Sequence, residues 1–105
     1  MNHAVLVHGG TMARRAALSQ ALRTASGLAV RVRVSSGAAE AAKCLADPAV
    51  VALFLVDAPH DAAALRAASA ARGLASQVYD LEPRDGAEVV VSLARAAVRR
   101  ATDHP

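Results

Sequence analysis

The run Val50-Val51-Ala52-Leu53-Phe54-Leu55-Val56 passes directly into Asp57-Ala58-Pro59-His60-Asp61, and it constrains the fold more than any other part of the chain. An unbroken apolar run closed by polar turn residues reads as a strand buried on both faces. Such strands occupy the middle of parallel α/β sheets, where ligand chemistry gathers just beyond the strand's carboxyl end. Asp57 stands at that end.

The rest of the chain can be read outward from this strand. Ala4–Val7 is a short apolar strand ending at His8-Gly9-Gly10-Thr11. Thr11 can cap a helix running to about Ser26, with Leu18, Leu22 and Ala25 on one face and Arg15, Ser19 and Arg23 on another. Gly27 is its expected terminator. Val30, Val32 and Val34 alternate with Arg31 and Arg33, the pattern of a half-exposed edge strand. Ser35-Ser36-Gly37 opens a short helix with Glu40 in its first turn, and Asp47-Pro48 ends it. Asp61 can cap a third helix, Ala62–Arg72, closed by Gly73. Ser76–Leu81 is a weaker strand. Asp85-Gly86-Ala87-Glu88 resembles a capping box opening a last helix to about Arg100, with Val90, Leu93, Ala94 and Ala97 inward and a frayed tail over Thr102–Pro105.

Strands alternating with helices of this length require parallel pairing and right-handed crossovers. The first and third strands look central and the second and fourth look like edges. The expected fold is therefore α/β, doubly wound, with a four-stranded parallel sheet of order 2-1-3-4, flavodoxin-like and receiver-like. Its switch point lies between strands one and three. The turns there bring His8, Gly9, Gly10, Thr11, Asp57, His60 and Asp61 to one expected crevice.

Composition narrows the function classes. The 105 residues form one domain, 1–105, carrying a formal charge of only +3, which is a poor argument for nucleic acid. Lys43 is the sole lysine, and Cys44 the sole cysteine, so no intrachain disulfide or CxxC metal spacing exists. Cys44 falls on an apolar helix side, as an inert buried thiol would. His3 and His104 lie near the termini and are expected in solvent. No leader-like region or membrane-length apolar stretch is present, and a cytoplasmic location is expected. Val89, Val91 and Val98 flank the inward stripe of the last helix and cannot all face the sheet. With Arg95 and Arg99 they form an expected interface to a protein partner or a second copy in a homodimer.

Residues 4 to about 81 resemble the receiver domain of bacterial response regulators, the signal-transducing half of two-component systems. Val30–Ala42 resembles that family's second strand and following helix. Leu53-Phe54-Leu55-Val56-Asp57 resembles its third strand, which ends at the phosphate-accepting Asp, and Pro59 resembles the proline of the next loop. Met12-Ala13-Arg14-Arg15 resembles the start of the first helix. The chain departs from the family where receivers carry an acidic pair for Mg²⁺, since His8 and Gly9 stand there. The family's lysine has no counterpart. The resemblance implies a degenerate receiver, a non-catalytic signalling module that acts through protein–protein interaction, with no metal or cofactor and no enzymatic activity expected.

Two other resemblances define alternatives. Val7-His8-Gly9 with Leu55-Val56-Asp57 is similar to the phosphohistidine carriers of the mannose-type sugar phosphotransferase system. That likeness implies a small phosphotransfer protein using His8, as the receiver likeness would imply one using Asp57. Val5-Leu6-Val7-His8-Gly9-Gly10-Thr11 resembles the glycine turn of short-chain dehydrogenases and implies a truncated Rossmann-like nucleotide-binding domain. There Met12, Ala13, Arg14 and Arg15 stand where a further glycine is wanted.

Overall fold

The structure is a computed structural model and describes residues 3–73 and 77–103. Eight elements alternate along the chain: β1 (His3–Gly9), α1 (Met12–Thr24), β2 (Val30–Ser35), α2 (Ala38–Leu45), β3 (Val50–Val56), α3 (Ala62–Ala71), β4 (Val78–Leu81) and α4 (Ala87–Asp103). The four strands make one parallel sheet in the order β2-β1-β3-β4. The fold is α/β and flavodoxin-like, as the strand pattern predicts.

Side-chain alternation divides the core. Val5, Val7, Phe54 and Val56 face α1 and α4, meeting Leu18, Leu22, Val90, Ala94 and Ala97. Ala4, Leu6, Leu53 and Leu55 face α2 and α3, meeting Ala41, Cys44, Leu45 and Leu65. Every residue of β3 is buried, the consequence of helices on both sides. Phe54 stacks on Tyr79 of β4 with ring centroids 5.4 Å apart. The β1–β3 register shifts between Ala4 and Val5.

Several boundaries differ from the sequence reading. The first strand begins at His3, which is half-buried rather than in solvent. The first helix stops at Thr24, and Gly27 takes φ +73° in the turn beyond it. The fourth strand begins at Val78; Ser76, where the sequence reading starts it, lies outside the described residues. The last helix continues through Thr102 to Asp103, past the expected fraying point. His104 and Pro105 lie outside the described residues. Ser19, placed on a polar face by periodicity, is buried.

Charged side chains tie the elements together. Asp47, beyond α2, accepts from the Ala49 N–H (2.9 Å) and from Arg31 (3.4 Å) and Arg33 (3.3 Å) of β2. The Ala49 hydrogen bond first, and then the nearby Arg31, Arg33 and Arg72 charges, hold the Asp47 carboxyl below its usual value. Arg66 of α3 pairs with Asp80 of β4. Asp85 does not cap α4. It closes its own turn by accepting from the Glu82 N–H at 2.8 Å.

Candidate functional site

Parallel pairing sets His8 opposite Ser35 on one side and Leu55 on the other. The alternation that sends Ala4 and Leu6 toward α2 and α3 sends His8 the same way. The imidazole is fully buried. Its Nδ1 lies 2.8 Å from the Ser35 Oγ and its Nε2 2.9 Å from the Asp61 Oδ2. An ionised carboxylate only accepts, so neutral His8 donates its Nε2–H to Asp61, and Nδ1 accepts the Ser35 hydroxyl proton. Asp61 precedes α3 as its N-cap residue, but its side chain makes no cap hydrogen bond there; it serves His8 instead.

A hydroxyl, an imidazole and a carboxylate in series form the order of groups used to activate a serine nucleophile. Here Ser35 is 2% exposed, and a substrate carbonyl has no approach to its oxygen. The series joins β2, β1 and α3 at one buried ring.

The expected crevice between β1 and β3 is closed. Gly9 (φ +93°) and Gly10 (φ +68°) press on the end of β3 so tightly that an added Cβ would sit 2.5 Å from the Val56 O at Gly9 and 2.7 Å from the Val56 Cγ1 at Gly10. Thr11 is taken up as the α1 cap, its Oγ1 accepting from the Arg14 N–H at 3.1 Å. Two arginines fasten this end of the sheet. Arg15 donates to the Gly9 and Gly10 carbonyls (2.9 and 2.7 Å). Arg14 donates to the carbonyls of Glu82 (3.0 Å), Pro83 (3.3 Å) and Asp85 (3.1 Å), linking α1 to the β4–α4 turn.

Asp57 is exposed and takes φ +46°, a left-handed conformation that Asp tolerates better than most side chains. It borders an open hollow of about 420 Å³ with Leu55, Pro59, Asp80 and Leu81. His60 is also exposed. The set expected in one crevice thus separates: His8 bonds to Asp61, the glycines seal the turn, and Asp57 borders the β3–β4 side. Among the described residues no group of three or more His, Cys, Asp or Glu side chains could hold a metal ion.

Sequence reasoning missed Ser35, Arg14 and Arg15 as members of this end. Ser35 was findable, because the polar ends of the two neighbouring strands fall in register. The arginine contacts reach across turns whose paths the sequence does not encode locally.

On α4, Val89 is exposed at 37%, whereas Val91 and Val98 are half-buried against the α1/α4 core. The expected apolar surface is therefore smaller than helical spacing suggests. Arg95 lies over Gly27 and, with Leu28, Val98 and Arg99, outlines a hollow of about 210 Å³. No family model, curated protein or solved structure matches this chain. No helix among the described residues is long and apolar enough to cross a membrane.

Proposed function

We propose that the chain is a receiver-like regulatory module that works by binding a protein partner or a second copy, and that Asp57 does not take part in metal-dependent phosphoryl transfer. The observation carrying this reading is His8. Receivers place acidic side chains after the first strand; this chain places there a fully buried imidazole with both nitrogens engaged. A divalent cation beside Asp57 would find no carboxylate on β1, and phosphoryl transfer leans heavily on that charge neutralisation.

The alternatives have weaker support. A phosphohistidine at His8 would have to break one of its two hydrogen bonds and open the ring to solvent. A dinucleotide wants close backbone approach at the Gly9-Gly10 turn, which packs against Val56.

Intact-mass measurement after incubation with acetyl phosphate and Mg²⁺ tests the reading. The expected spectrum is that of unmodified protein. A stoichiometric phosphate adduct that disappears in Asp57→Asn would overturn it.

A further inference from the structure

The stripe Met12, Arg15, Ala16, Ser19 and Arg23 recurs at helical spacing along α1 and faces the end of β2. With Val34 it lines an open groove of about 450 Å³, a volume in the range of small-molecule sites. Met12 (78% exposed) and Val34 (45%), both large apolar side chains left to solvent, meet in it. Two polar features set this groove apart from a bare apolar patch. The Ser19 Oγ is buried without a hydrogen-bond partner among the described residues, a state native structures usually avoid. Arg15 is held in place by the Gly9 and Gly10 carbonyls through one terminal nitrogen. Its Nε and other terminal nitrogen meet no protein acceptor among the described residues, and that edge of a guanidinium matches a carboxylate in a two-bond fork.

We propose that the α1–β2 groove binds a small amphipathic carboxylate, with the carboxylate on the free edge of Arg15 and the apolar body over Met12, Ala16 and Val34. Arg15 is already fixed, so little side-chain entropy is lost on binding. Arg23, exposed at the far end of the stripe, adds positive potential along the same path. This site is separate from the His8 cluster, and it stands or falls independently of the receiver-like reading.

The test is titration of the isotope-labelled full chain with octanoate, followed by amide NMR, with 1-octanol as the uncharged comparator. The expected result is saturable one-to-one shifts confined to α1 and the end of β2, with 1-octanol at least about tenfold weaker. Arg15→Gln should bring octanoate down to the 1-octanol level. Ala16→Glu, at an exposed helical position compatible with folding, should abolish octanoate binding by placing a like charge in the groove. Equal affinity for the acid and the alcohol would overturn the proposal, as would unsaturable or scattered shifts or unchanged binding in Ala16→Glu. Movement of the same amides on dilution without ligand would assign the groove to a second copy and overturn it equally.

Discussion

Gly9 and Gly27 both adopt positive φ, +93° and +73°, yet the chain demands different things of them. An alanine Cβ at Gly9 would meet the Val56 O at 2.5 Å and the Ala58 Cβ at 2.7 Å, whereas at Gly27 it would meet only the Arg95 guanidinium at 3.6 Å. Gly27→Ala should therefore cost about 1 kcal/mol, the left-handed penalty alone. Gly9→Ala should cost about 3 kcal/mol or more, because the end of β3 must also move. Urea denaturation of both variants measures this, and equal losses would contradict the closed β1–β3 end. The glycine turn was legible as a turn, but not as a seal. Asp61 teaches a similar lesson. Its position before an alanine-rich helix reads as a cap, and a cap is worth about 1 kcal/mol. A buried imidazole N–H left unpaired costs about 1–3 kcal/mol, so the carboxylate goes to His8. Local sequence registers the first demand and is blind to the second.

Among the elements, the strands were the most legible, because their patterns follow directly from burial. The fully apolar β3 and the alternating β2 both lie where their residues place them. Helix faces were less legible: Ser19 adjoins the inward Leu18 and Leu22 and is buried with them, since the packed stripe of α1 is wider than its large apolar residues. The link between β2 and α2 was hidden in Asp47, which reads as a helix stop before Pro48. Its carboxyl is held below the ordinary Asp value, chiefly by the Ala49 N–H it accepts. A group whose folded value is depressed contributes stability that is fully present above its unfolded value and is lost as pH falls through the folded one. Asp47→Asn should thus flatten the acid limb of the stability–pH curve below about pH 4 and lower stability at neutral pH. Denaturant titrations of both proteins at a series of pH values check this; parallel curves would show that Asp47 contributes nothing through its charge.

At the scale of the whole molecule, two central and two edge strands leave the orders β2-β1-β3-β4 and β2-β3-β1-β4, and the sheet adopts the first. What the order could not reveal is how its carboxyl end is finished. In open sheets of this kind that end is where ligands enter; here His8 joins three elements, the glycine turn closes on β3, and Arg14 and Arg15 fasten the loops. The surfaces left exposed are then its flanks: Val89 on α4, the β4 edge, and the α1–β2 groove. That division rests on His8 being a structural junction. A long-range ¹H–¹⁵N spectrum of the histidine side chains at neutral pH tests it most directly. One imidazole is expected in the Nε2–H form with a proton protected from exchange, assigned to His8 by its absence in His8→Gln and losing that protection in Asp61→Ala. A His8 ring that averages both tautomers and exchanges freely with water would contradict it.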